Sequence, residues 1–327
     1  MMRETYDVVV IGGGAAGLAG AVTLARSRRS VLVVDAGEPR NAPADGVHNY
    51  LTREGTPPLE LQRLGREEVA MYGGEVVVGR VSAMTRRDGD DPSFTVTLDD
   101  RREVGARRVL VATGAVDILP EIPGVAERWG RDVLHCPYCH GWESRDRAIG
   151  VIGPHPMVMH AALLWRQISP DLVVFLNGSP ALTTEQAAQC NALGVRVISE
   201  PIAGLVIEDD RLTGVRLVTG EIVPREIGVV GSRAEARADM LAPLGLQTTA
   251  LEMGDVTVAS RIEAGQAGAT RIPGVYVAGN IADPMGQVIA AASEGSRAGA
   301  MINADLVFAD AALAVALAAA SGAVPAM

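Results

Sequence analysis

Tyr6-Asp7-Val8-Val9-Val10-Ile11 is a nearly continuous β-branched run, and at this length it predicts a strand buried on both faces of a parallel sheet. It meets Gly12-Gly13-Gly14-Ala15-Ala16-Gly17, then a helical stretch from Leu18 to Arg28, then a second strand from Ser30 to Val34 that ends at Asp35. The same texture returns at Arg108 to Val111, which closes in Ala112-Thr113-Gly114, and at Ala148 to Ile152, Leu172 to Leu176 and Gly274 to Ala278. Near the C-terminus Gly286-Gln287-Val288 opens a small-residue helix, Ile289 to Ala300, and an alanine-rich tail runs from Ala311 to Met327. Buried strands alternating with helices predict an α/β fold of parallel sheets.

The first strand, helix and second strand form a complete βαβ unit with G-x-G-x-x-G at its turn. Gly12 permits the tight turn, Gly14 lets a pyrophosphate approach the backbone, and Gly17 lets helix and strand close together. Ala15 and Ala16 lie where the helix N-terminus offers free N–H groups and a positive dipole end to phosphates. Asp35, roughly 20 residues on, stands where an acid binds ribose hydroxyls. These features together predict a dinucleotide site.

Composition narrows the function classes. The chain has 327 residues, enough for two ordinary domains, with 48% hydrophobic and 21% charged residues. A net charge of −10 argues against nucleic acid or an anionic membrane as a partner, because both require clustered Lys and Arg. The tail from Ala311 is shorter than the roughly 20 residues of a membrane span, so a surface or subunit-contact helix is expected.

Of three cysteines, two form Cys136-Pro137-Tyr138-Cys139, followed by His140. An odd count fits no even disulfide framework, which points to a reducing, cytoplasmic setting and to a redox or metal motif. Zinc usually takes two such motifs, and Cys190 sits alone in the helical stretch Thr184 to Leu193, so no metal is expected. His140 can exchange protons with a neighbouring thiol or simply pack the turn. His135 is expected only to pack, while Tyr138 can wall a cleft or pack.

The A-T-G strand end at Ala112, Thr113 and Gly114, with Gly279-Asn280 and the Gln287-Val288 helix start, resembles the flavoprotein disulfide reductase superfamily. The resemblance implies FAD, held also by Gly279, by Asn280 on the ribityl chain, and by Asn49, Gln287 and Val288 near the ring. The family usually has Asp at the Asn280 position, which implies altered ribityl contacts here. The order of parts looks like the low-molecular-weight thioredoxin reductases. That implies two Rossmann-like three-layer domains, an FAD domain at 1–115 and 242–327 interrupted by a nicotinamide-type middle domain at 116–241.

The middle domain departs from that pattern. Its fingerprint reads Gly153-Pro154-His155-Pro156-Met157-Val158, with His155 and Val158 where the second and third glycines belong. A side chain at the second position blocks a pyrophosphate, and two prolines remove N–H donors from the turn. No NADPH is therefore expected, and His155 and His160 are expected to fill the space.

Flavin and dithiol without a hydride donor resemble the FAD-dependent dithiol oxidases of gliotoxin and holomycin biosynthesis. The residues that carry this are Cys136 to Gly141, Val47 to Arg53 and Leu163 to Gln167. The resemblance implies oxidation of a small-molecule dithiol to an internal disulfide, with molecular oxygen reduced to hydrogen peroxide. Cys139 would be the flavin-proximal thiol, Cys136 the interchange thiol and His140 the acid–base group, in a homodimer. Two alternatives stay open: a protein-disulfide oxidoreductase fed by ferredoxin or a second flavin, and a non-enzymatic flavin protein.

Overall fold

A computed structural model describes residues 2–87, 91 and 93–321. A seven-stranded sheet carries the glycine-rich turn. At its parallel centre Thr5–Ile11 lies between Val31–Asp35 and Glu103–Val111, with Glu75–Val78 beyond the former and Val275–Val277 beside the latter. The antiparallel strands Ser93–Leu98 and Val81–Arg87 complete it. Val8, Val9 and Val10 are fully buried, as a strand covered on both faces requires. The helices Ala15–Arg26 and Val288–Ala320 pack on one another along one face of this sheet. Close packing needs Gly17, because a Cβ there would sit 1.9 Å from the Gly12 carbonyl oxygen.

A second, all-parallel sheet of five strands runs in the order Arg196–Ile198, Leu172–Phe175, Ile149–Ile152, Ile227–Val230, Val133–Leu134. The helices Val158–Arg166 and Thr184–Leu193 lie between its strands in sequence, and Trp165 and Cys190 are buried in its core. A three-stranded antiparallel sheet, Ile202–Glu208, Arg211–Leu217 and Ile222–Pro224, packs on the other side. The architecture is thus the thioredoxin-reductase-like α/β fold. Between the two parallel sheets the chain crosses through Ala115–Ile118 and returns through Arg233–Ala236, and these two segments pair antiparallel.

The C-terminal helix differs from the expectation. Instead of a short helix and a separate tail, Val288 to Ala320 is one helix of 33 residues, long and apolar enough by composition to cross a membrane. Its first half is committed elsewhere: Gly295, Ala298, Gly299, Ile302 and Leu306 are buried. Asp305 pairs with the buried Arg108, and Asp310 with Arg29. Residues 322–327 of the expected tail lie outside the described residues.

Gly17→Ala should force the first helix off its strand. The purified variant is expected to lose most of its bound flavin, read as the ratio of flavin to protein absorbance; full retention would contradict the packing argument.

Candidate active site

The carboxyl ends of the first sheet's parallel strands open into a long cavity, as expected for an open α/β sheet. Gly12, Gly14, Ala15, Ala16, Asp35, Ala112, Thr113, Gly114, Gly279, Asn280, Gln287 and Val288 all line it. Gly17 lies behind that wall, against Gly12. Asn49 is exposed outside the lining, although its Nδ2 donates to Gln287 Oε1 at 2.8 Å. No side chain caps the N-terminus of Ala15–Arg26, and nothing stands within 4 Å of where a Gly14 Cβ would be.

Asp35 accepts from Gly13 N–H at 3.0 Å and from Arg66 Nη2 at 2.5 Å. Nearby, Gln62 Oε1 and Arg66 Nε are buried with no partner among the described residues. Asn280 does more than its expected ribityl role suggests. Its Nδ2 donates to the carbonyls of Asp283 and Gly286 at 2.8 and 2.9 Å, which fastens the loop ahead of the last helix. An Asp could not donate there.

The dithiol stands at the other end. Strand Val133–Leu134 runs into His135 and Cys136, and Pro137–His140 forms one helical turn with Cys136 as its N-cap and proline in the first turn. The turn is closed by N–H bonds from Cys139 and His140 to the Cys136 carbonyl, each 3.2 Å, and by Ser144 Oγ donating to the His140 carbonyl at 2.9 Å. Gly141 is required sterically: a Cβ there would sit 2.3 Å from Pro137 O. Cys139 and His140 line the cavity, whereas Cys136 is half-buried behind the lining and Tyr138 points outward, 61% exposed.

The two thiols are unequal. A hydrogen bond from the Cys139 thiol, with backbone N–H groups of Cys139 and Tyr138, holds Cys136 down to about 7 against the cost of burial. That same bond, with burial, pushes Cys139 well above the usual thiol range. Burial lowers His140 and disfavours its imidazolium, with the neighbouring His48 adding to the effect.

His135, expected only to pack, does stack on Trp129 at 5.4 Å, but it also opens onto the cavity. The surrounding protein holds it down to about 4, so it is neutral at pH 7. His160 is exposed and fills no space, because its position on helix Val158–Arg166 turns it to solvent.

No sequence pattern marks Arg40. Its guanidinium grips Asp117 through two bonds of 2.8 and 2.6 Å and donates to Pro284 O at 2.8 Å, while Ser232 Oγ donates to Asp117. Arg40 and Asp117, 77 residues apart, both line the cavity, and the positive charge of Arg40 reaches Cys139.

Residues 6–295 match the family model described as pyridine nucleotide-disulphide oxidoreductase. The chain belongs to that family. This oxidoreductase is similar over nearly its whole length to a crystal structure of HlmI, with 43% identity, 98% of each chain covered and a TM-score of 0.90. It is 29% identical to the thioredoxin reductase sirT of Leptosphaeria maculans, over 93% of this chain and 95% of that one. A probable thioredoxin reductase of Arthroderma benhamiae is 34% identical over 54% of this chain, and the match spans 45% of that protein's length.

Members of this family bind FAD, and the cavity fits it. Open N–H groups at the uncapped helix suit a pyrophosphate, while the Asp35 carboxylate and the orphaned Gln62 Oε1 are acceptors suited to hydroxyl or amine groups of an adenosine. Gly12–Ala16, Asp35, Ala112–Gly114, Gly279, Asn280, Gln287 and Val288 are the residues that would hold FAD, in the same cavity that Cys139 lines.

In the reduced oxidoreductase the Cys136 thiolate prevails above about pH 7. Alkylation by iodoacetamide should strike Cys136 first, with a midpoint near that value. Cys139→Ala removes the donated hydrogen bond and should move the midpoint up toward roughly 8.5, the value of a free thiol. An unmoved midpoint would show that the Cys139 thiol does not set it.

Proposed function

We propose that this oxidoreductase oxidises a small-molecule dithiol to an intramolecular disulfide through Cys136 and Cys139, with oxygen as final acceptor. One observation carries the reading: a Cys-x-x-Cys turn whose Cys139 faces the cavity occurs together with a second nucleotide crevice filled by the protein itself. The His155 ring rests on Gly231, where an added Cβ would lie 2.0 Å from it, and Met157 N–H donates to His155 Nδ1 at 3.1 Å. Asn177 ties Gly153 O to Ile202 N across the adjacent strand end. A pyrophosphate needs that backbone free, so this filling supports the absence of an NADPH donor.

The resting enzyme holds a Cys136–Cys139 disulfide. A substrate thiolate attacks Cys136 Sγ, the sulfur away from the cavity, and Cys139 departs as a thiolate. The second substrate thiolate then closes the product disulfide and releases Cys136, whose low pKa makes it the better leaving group. His140, neutral through burial, takes a proton from an incoming thiol. When bound, FAD would supply the two-electron acceptor for re-forming the enzyme disulfide, with oxygen reduced to hydrogen peroxide as the final acceptor.

Anaerobic mixing with dithiothreitol should bleach the flavin, and air should restore it with about one peroxide per cycle. Cys136→Ser and Cys139→Ser should abolish both. Bleaching by NADPH, or by reduced ferredoxin while dithiols leave the spectrum unchanged, would overturn the reading.

We also propose a homodimer through the outer half of the last helix, supported by exposed Phe308, Leu313, Val315 and Leu317. Light scattering should give twice the 34.1 kDa chain mass; a monomer would refute it.

A further inference from the structure

Ionisation of a substrate dithiol frees protons, which reduction of oxygen to hydrogen peroxide later takes up again, in a cavity where the two imidazoles flanking the Cys-x-x-Cys turn resist holding them. His135 and His140 are both biased to the neutral form by the protein around them, His135 while open to the cavity. A third imidazole lines the same cavity with different surroundings. His48 Nδ1 lies 2.6 Å from Glu54 Oε1, and Glu54 Oε2 accepts the next backbone N–H, that of Asn49, at 2.9 Å. One carboxylate thus fixes both the ring and the backbone that carries it.

The loop holding this pair is closed by Val47 N–H to Thr56 O at 2.8 Å and Gly55 N–H to Val47 O at 2.9 Å. With Nδ1–H given to Glu54, Nε2 is left as the acceptor. It points toward Glu143 Oε1 at 3.7 Å, on the turn that directly follows the dithiol helix. His48 is thus flanked by two carboxylates. The other titratable groups of this end are His140 and Cys139 on the dithiol turn, His135, and Asp45 on the approach to His48. The side chains of Glu54 and Glu143 are 67% and 45% exposed, so the pair joins the cavity to bulk water.

We propose that His48, positioned by Glu54, is the proton exit of the active site. This rests on the dithiol-oxidase reading. A substrate S–H bond breaks and the proton passes, directly or by way of His140, to His48 Nε2, forming an N–H bond. The substrate thiolate so formed attacks Cys136 Sγ, its S–S bond replaces the Cys136–Cys139 bond, and the pair of electrons from the broken bond leaves on Cys139. The imidazolium between Glu54 and Glu143 then releases its proton to water. No other change of charge is required.

The test follows anaerobic flavin bleaching by dithiothreitol across pH in the holoenzyme, with flavin content and thermal midpoint as controls on folding. His48→Gln should slow bleaching about 100-fold at pH 7, within the range of a lost acid–base group. The deficit should shrink above roughly pH 9, where thiols ionise unaided, and added free imidazole should restore part of the rate. Glu54→Gln should err in the same direction by a smaller factor. A His48→Gln rate that is unchanged, or lowered equally at every pH with no rescue, overturns the proposal while leaving the oxidase reading intact. If the wild-type flavin does not bleach at all, the oxidase reading fails and this inference with it.

Discussion

The Arg40–Asp117 ion pair is the contact on which the geometry of the site depends. The chain passes from one parallel sheet to the other through Ala115–Ile118 and comes back through Arg233–Ala236. Asp117 lies on the outgoing strand, Ser232 just ahead of the returning one, and Arg40 and Pro284 belong to the flavin side. A planar guanidinium with several fixed donors can hold Asp117 and Pro284 O at once, while Ser232 ties to the same carboxylate, and a lysine ammonium could not do this with the same geometry. With Asp117 only 8% exposed, loss of Arg40 would leave a carboxylate largely without solvent. The Gly130 backbone, tight against Pro43, adds a steric contact to the electrostatic one. Together they hold the middle module so that Cys139 faces the flavin cavity.

That orientation gives the dithiol its asymmetry. Cys136 stands at the start of a one-turn helix, where N–H groups and the Cys139 thiol stabilise its thiolate. Cys139 looks into the enclosed cavity, where an anion is costlier. A thiol of lowered pKa on one side and a cavity-facing partner of raised pKa on the other follow from one proline-led turn and the direction in which it is held.

The two nucleotide-type folds show how little sequence separates an open crevice from a filled one. Both have a strand, a tight turn and a helix. In the first, Gly14 leaves open space; in the second, His155 occupies the equivalent place and lies on Gly231. Pro154 and Pro156 also withhold donors from a phosphate. The difference was legible because glycine fingerprints are local: the requirement is for a missing Cβ at a fixed spacing. Asn280 was legible only in part: the resemblance implied a place beside a cofactor but not that its Nδ2 would tie down Asp283 and Gly286.

The sequence by itself determined the βαβ unit, the parallel sheets, the filled second fingerprint and the pairing of Cys136 with Cys139 on one turn. Each of these is written in residues within a few positions of one another, where β-branched runs, glycine spacing and a C-x-x-C turn act through local sterics and hydrogen bonding. The tertiary structure decided what stands around that pair. Arg40 meets Asp117 from 77 residues away, His48 comes beside the turn that holds Glu143, and His135, expected only to pack, opens onto the cavity. Single charged or aromatic residues in loops carry no periodicity, so only the fold brings their charges within a few ångströms and gives them an effect.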